Sequence, residues 1–270
     1  MLSGDNSADK PIKHYDMHCH VDFQEDPQGF LDAADALGLS FLSCTVTPVG
    51  YQEARGWSDK DNVALGLGAH PWWVADGRMD EEALQKLLSL APDAPLIGEI
   101  GIDLSSKHVD LASKDCQADA FRRIAEASAK AGGKVLSIHS VKSADLVLDI
   151  LEDTGCTPEA SGSLPILHWF SGSTPELWRA IKLGCFFSVG EPFLHTHHAK
   201  EYLKLIPHEK LLLETDYPPE HADFKPEDYE RSLSTATELI AASWTAPLDE
   251  AAEFLAATSS KIFDRTKGRA

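Results

Sequence analysis

Short apolar runs recur along the chain, and most are followed by a stretch in which apolar residues return every three or four positions. The runs are IKHYDMHCH (12–20), LSFLSCTVT (39–47), NVALGLGAH (62–70), PLIGEIGID (95–103), GKVLSIHS (133–140), LPILHWF (164–170), GCFFSVG (184–190) and KLLLETD (210–216). Their length and composition suit strands buried on both faces. Between them lie the helical patterns PQGFLDAADALG, MDEEALQKLLSLA, QADAFRRIAEASAKAG, KSADLVLDILEDTG, TPELWRAIKLG and HAKEYLKLIP. YQEARGW fills the second interval with only a faint helical period, and DYERSLSTATELIAASW and DEAAEFLAATSSKIF follow the last run. Glycines close several of these patterns and Thr174-Pro175 opens another, as helix boundaries do. Alternating strands and helices predict parallel βαβ units, and eight such units close into an α/β TIM (β/α)8 barrel with C-terminal helices. An open doubly wound sheet is the alternative, and it requires no particular strand count. Residues 1–270 read as one domain, since no linker, repeat or composition shift interrupts them; the polar segment 1–11 is expected to be flexible.

Composition narrows the class. The chain has 270 residues, 43% hydrophobic, enough for one large core. No apolar run approaches the roughly 20 residues of a membrane span, and MLSGDNSADK lacks the apolar segment of a secretory signal. Five scattered cysteines, an odd number, fit a reducing cytoplasm better than a disulfide framework. The net charge of −19 argues against a broadly basic surface that grips duplex DNA, while leaving room for a local cationic site.

Candidate chemistry starts at DMHCH. On a regular strand, alternation puts His18 and His20 on one face with His14 and Asp16, and Cys19 on the other. A polar strand face would explain that pair alone. The same residue types recur, however, at the ends of other runs: Glu99 on the fourth, His139 on the fifth, His168 on the sixth and Asp216 on the eighth. In a barrel these ends meet on one rim, where sites of this fold are built. Four imidazoles and two carboxylates suit divalent ions such as Zn, Mn or Mg, and six ligands exceed what one tetrahedral ion uses. A carboxylate bridging two ions about 3.5–4 Å apart would suit in-line displacement at phosphorus.

Around this set, Asp22 is expected to orient the ligands, and Asp103 and Glu214 to orient them or join them. His70, Trp72 and Trp169 should face the rim, where aromatics stack on unpaired bases; Trp73 and Phe170 read as rings that seal the barrel top. His195, His197 and His198 form a histidine-rich loop with no accompanying carboxylate or cysteine, and read as surface residues.

Taken together, HCH, GAHP, GEIGID, IHS, HWFSG and LLLETD, in this order, resemble the TatD family of metal-dependent nucleases, across residues 16–217. The resemblance implies a TIM barrel that hydrolyses DNA, commonly as a 3′-to-5′ exonuclease preferring single strands. It implies two divalent metal ions: His18, His20 and Asp216 on one, His139 and His168 on the other, and Glu99 between them. Asp216 would take the proton of the attacking water. A narrower wording, HCHVDF, TVTP, GGKVLSIHS and LGCFFSVG, is similar to the TatD-type component of the Qat anti-phage defence system. That implies partners from neighbouring genes, an ATPase and a QueC-like enzyme, and a role in antiviral defence.

The chain departs from the TatD pattern where relatives carry Arg two places after the fifth-strand histidine; here Val141 stands there, followed by Lys142. A lysine cannot offer the forked grip of a guanidinium on phosphate. Leu104 and YPPEH also replace commoner choices. Two rival classes remain: an amidohydrolase-type enzyme cleaving esters or amides, including D-aminoacyl-tRNA, and a non-catalytic partner-binding subunit. Many amidohydrolases bridge their metals with a modified lysine on the fourth strand, where this chain has Glu99.

Overall fold

The structure, a computed structural model, describes residues 13–219 and 223–268. The expectation of a flexible segment at 1–11 falls outside them, as do the last two residues of YPPEH.

All eight apolar runs form strands: β1 (His14–Cys19), β2 (Leu39–Cys44), β3 (Val63–Leu67), β4 (Leu96–Gly101), β5 (Val135–His139), β6 (Leu164–His168), β7 (Phe186–Val189) and β8 (Leu211–Leu213). They pair in parallel in chain order, each with the next. Past the strand ends, the ring closes through the Asp216 N–H donating to His18 O at 3.0 Å and the His20 N–H donating to Tyr217 O at 2.7 Å. The result is a TIM barrel, and the open doubly wound alternative is ruled out. No helix among the described residues is long and apolar enough to cross a membrane.

The helices are α1 (Pro27–Ala36), α2 (Pro48–Ala54), α3 (Pro71–Ala75), α4 (Glu81–Leu90), α5 (Lys114–Ala131), α6 (Ala144–Thr154), α7 (Thr174–Lys182), α8 (Glu191–Leu194), α9 (His197–Tyr202), α10 (Pro226–Trp244) and α11 (Leu248–Thr266). Two are not apparent from periodicity, because a single turn is too short to show it. The faint YQEARGW pattern begins earlier, at Pro48, where the Thr47 hydroxyl caps α2 by accepting from Gly50 N at 3.0 Å. GAHPWW makes the one-turn α3, with His70 as its cap and Pro71 at its first position.

Two apolar layers hold the barrel. Tyr15, Met17, Leu42, Ala64, Leu96, Val135, Ile166 and Leu212 come from seven strands and pack into one cluster, which only the barrel interior can supply. Ile262 and Phe263 of α11 join it. Arg265 and Lys267 then donate to Gly133 O and Val63 O, at 3.1 and 2.9 Å, beside the starts of β5 and β3. So α11 plugs the end of the barrel opposite the site. Outside, the other strand face packs against the helices. Each such buried Leu, Ile or Met contributes about 1.5–3 kcal/mol. Four of the five cysteines are buried hydrophobes in this packing, while Cys116 is exposed.

Candidate metal centre

Strand alternation does not survive at DMHCH. The β1–β2 register shifts between Asp16 and Cys19. Met17 joins the interior cluster, yet the next residue, His18, also reaches inward, with Nδ1 2.6 Å from the Ser137 hydroxyl and its ring stacked on His168 at 3.9 Å. Asp16 does not share the ligand face. It is buried and accepts from the backbone N–H of Thr215 and its own neighbour His18, at 3.1 and 3.2 Å. Burial pushes its pKa up to about 7. Thus Asp16 ties β1 to the segment carrying Asp216. That residue lies past the end of β8 in the left-handed region, φ 62°.

Glu99 is the hub, buried on β4. Its Oε2 stands 3.3 Å from His20 Nε2 and 3.8 Å from His18 Nε2. Its Oε1 stands 3.0 Å from His139 Nδ1, 3.2 Å from His168 Nε2 and 3.1 Å from His70 Nε2. Asp216 Oδ1 faces the first pair, 3.4 Å from His18 Nε2 and 3.2 Å from His20 Nε2. One carboxylate therefore turns each oxygen to a separate set of imidazoles. The six residues read as ligands from strand ends share one centre.

Hydrogen bonds on the far side of each ring decide which nitrogen faces that centre with a lone pair. His20 Nδ1 lies 2.7 Å from the carbonyl of Cys44, which can only accept, so Nδ1 carries the proton and Nε2 is free to ligate. His139 Nε2 lies 3.0 Å from Asp103 Oδ2, leaving Nδ1 to face Glu99. Asp103 is held in turn by the Trp72 indole N–H at 2.7 Å. His70 is the reverse. Its Nδ1 accepts from Trp72 N at 3.1 Å, so neutral His70 turns an N–H toward Glu99.

Several buried atoms here lack any hydrogen-bond partner: His18 Nε2, Glu99 Oε2 and both nitrogens of His168. Such orphans are costly among neutral groups, and convergent nitrogen and oxygen orphans are what a divalent cation satisfies. Three donor triads are close enough for an ion: His18, His20 and Glu99; His18, His168 and Glu214; and His70, Glu99 and His139. The tautomer argument removes His70 from the last. The donor set fits a metal.

Charge distribution agrees. Burial and the adjacent His168 push His18 down to about 4, so it is neutral. Burial opposes a proton on His139, but Asp103 and Glu99 outweigh it and lift His139 to about 9. The same carboxylate pull from Asp216 and Glu99 holds His20 well above the usual histidine value, against burial. Glu99 and Asp216 are held below the usual carboxylate range despite their burial. Two protons stand where a cation would.

Other candidates take different places. A cavity of about 260 Å³ opens onto the centre; Trp72, Trp73, Phe23, Arg78 and Pro218 are among its walls. Trp72 stacks on His108 at 4.3 Å as well as holding Asp103. Trp73 lines the cavity rather than merely sealing the top. Trp169 and Lys142 are not among the lining residues; both have left-handed backbone, and Lys142 is exposed. Glu214 accepts from Ser188 and from Trp169 N, and burial raises its pKa well above normal. Asp22 hydrogen-bonds no imidazole: Cys44 O and Ser137 do that work for His20 and His18, and Asp22 faces a neighbouring hollow. His195, His197 and His198 stay exposed. Arg78, unremarkable in sequence, lies over Trp73 at 4.5 Å and is the one arginine lining the cavity among the described residues.

Fold and donor set define a barrel hydrolase of the metal-dependent kind. The chain belongs to the TatD family, matching TatD related DNase over residues 15–264; its members are hydrolases that act on phosphodiester bonds. It is 34% identical over 160 residues to the uncharacterized metal-dependent hydrolase YabD of Bacillus subtilis, covering 58% of this chain and 60% of that protein. It is 27% identical over 154 residues to the 3′-5′ ssDNA/RNA exonuclease TatD of Erwinia tasmaniensis, covering 56% of each. These two alignments thus span less than two thirds of either relative. The fold is similar to the crystal structure of YjjV, a TatD homolog from Escherichia coli K12, with TM-score 0.77 and 20% identity over 94% of this chain and 99% of that one.

Proposed function

We propose that the chain is a two-metal phosphodiesterase that removes nucleotides from the end of single-stranded nucleic acid, as the name of the Erwinia relative describes that protein. The observation that carries the reading is Glu99, whose two oxygens face two separate imidazole sets. His18, His20 and Asp216 would hold one cation, His139 and His168 a second, with Glu99 between them. Bound divalent cations supply Lewis-acid polarisation of the phosphodiester and activation of water.

The chain's own residues do the rest. Among the ligands Asp216 is the accessible one, its side chain 35% exposed where Glu99 is 3%. It accepts the proton of the attacking water. His70, an N–H donor held by the Trp72 amide, fixes Glu99 and faces the cavity with its remaining edge. Arg78 supplies the forked cation that Val141 and Lys142 do not. With a net charge of −19, the phosphate is drawn by these local cations rather than by the surface field. The centre is deep and its cavity small, which favours a strand end over a continuous duplex. β4 carries Glu99 and no lysine, against the amidohydrolase reading.

The setting we assign is the antiviral one. HCHVDF, TVTP, GGKVLSIHS and LGCFFSVG support it, with the ATPase and QueC-like product of neighbouring genes as partners. Co-purification of those products with the tagged chain tests that part. The enzymatic part is tested with end-labelled single-stranded DNA, RNA, duplex DNA and model esters under Mg, Mn and Zn, with EDTA and Glu99→Ala as controls. Stepwise shortening of single strands is expected; cleavage of esters alone overturns the reading.

A further inference from the structure

Beside the metal cavity lies a second hollow of about 490 Å³, between the turn Val21–Phe23, α2 and Trp57. Phe23, Val46, Trp73 and Arg78 line both, so the two share a wall. Its volume falls in the range of roughly 300–1,000 Å³ typical of ligand pockets. No residue of this hollow beyond the shared wall has a part in the chemistry described above.

Three features say what it takes. Asp22 lines it with a carboxylate whose Oδ1 is buried and has no hydrogen-bond partner. Trp57, just past the end of α2, presents a half-buried indole, and with Phe23 and Trp73 gives the hollow aromatic walls. Asp22 and Glu53 both line it, so a phosphate is repelled; and no donor triad near enough to hold a cation includes Asp22 among the described residues. A flat, uncharged, N–H-bearing group fits all three. Arg78 stands between the two cavities, where a phosphate joining their occupants would pass.

We propose that this hollow receives the base of the nucleotide next to the one being removed. Trp57 is a stacking wall, Asp22 accepts from the base edge and Arg78 meets the linking phosphate. Guanine, which offers a ring N–H and an amino group side by side, pairs best with a carboxylate. Adenine and cytosine offer one amino group each, and thymine offers a single N–H between two repelling carbonyls. The preference at this position is therefore guanine, then adenine or cytosine, then thymine. This rests on the phosphodiesterase reading above.

The test compares cleavage of methyl p-nitrophenyl phosphate, which has no second ring to stack, with single-stranded trinucleotides varied at that position. Trp57→Ala is expected to lower the ratio of kcat/KM on trinucleotide to kcat/KM on methyl p-nitrophenyl phosphate about tenfold, mainly through KM, with Trp57→Phe recovering most of it. Asp22→Asn is expected to flatten the base order. Equal losses on both substrates, or a base order unmoved by Asp22→Asn, overturn the inference while leaving the nuclease reading intact. Failure of the wild-type chain to cleave any trinucleotide, with methyl p-nitrophenyl phosphate still hydrolysed, overturns both.

Discussion

His70 turns a proton toward Glu99 and not a lone pair: its Nδ1 accepts from the Trp72 amide at 3.1 Å, and its Nε2 stands 3.1 Å from Glu99 Oε1. By distance alone His70 and His139 are equivalent neighbours of that oxygen. By tautomer they are opposites. On the two-cation reading proposed above, His139→Ala is therefore expected to lose one cation, whereas His70→Ala keeps both, with affinity reduced about 10–100-fold as for an orienting partner. Metal analysis of the purified variants, by plasma mass spectrometry after gel filtration, separates them; equal stoichiometry in the two would show that the tautomer assignment is wrong.

Protons and cations compete for the same nitrogens, so pH and metal are linked. His139 has its pKa raised from 6.5 to about 9 in the metal-free fold. A raised histidine pKa stabilises fully below the unfolded value and is lost as pH climbs through the folded one. The metal-free protein is thus expected to lose stability between pH 6.5 and about 9, by on the order of 3 kcal/mol. Cation affinity rises over the same interval, because His139 must give up its proton to ligate. Urea melts at several pH values, with EDTA and with Mn, should show opposite slopes. At fixed pH, EDTA should lower the melting temperature without unfolding the barrel, whose apolar core does not depend on the site.

How much of this was readable in the sequence depends on how far each feature depends on neighbours. The eight strands show plainly because parallel strands covered on both sides are continuous apolar runs. Glu99, His139 and His168 show because a polar residue ending such a run has a known address. Beyond that, local pattern fails for stated reasons. The register shift in β1 sets Met17 and His18 on the same side, which strict alternation forbids. His70's role turns on a one-turn helix too short to have a period, although His-Pro ahead of two tryptophans is a cap signal. Arg78 reaches the cavity by packing on Trp73, and Trp169 is not among the residues lining it; no spacing rule gives either.

Gly101 shows how tightly the backbone around the site is set. It has φ 131°, and a Cβ there would lie 2.1 Å from His139 O, so GEIGID needs glycine at its fourth position for space as well as conformation. The Ile102 N–H donates to that same carbonyl at 3.0 Å. Gly101→Ala would push β4 from β5 and pull His139 from Glu99. We expect a cost of about 2–4 kcal/mol and loss of the second cation together. Denaturant titration and metal content on one preparation check both; a destabilised variant that keeps two cations would show that the ligands do not depend on this contact.

The chain's answer to its missing fifth-strand arginine can be tested directly. Lys142 is exposed and does not line the cavity, whereas Arg78 does, its guanidinium over Trp73 at 4.5 Å and paired with Asp76 at 2.8 Å. An exposed ion pair of that kind contributes only about 0–1 kcal/mol, so a phosphate competes with Asp76 at little cost. Arg78→Ala should raise KM for single-stranded DNA about tenfold or more, and Arg78→Lys should recover part of it, since a point charge keeps attraction and loses the fork. Lys142→Ala should shift KM less than about twofold, the usual size of a solvent-exposed substitution away from the substrate. Raising ionic strength should narrow the gap between Arg78→Ala and wild type, because a half-exposed charge is screened. If Lys142→Ala carries the larger penalty, the phosphate enters from the β5 side and the cavity wall assigned to Arg78 faces something else.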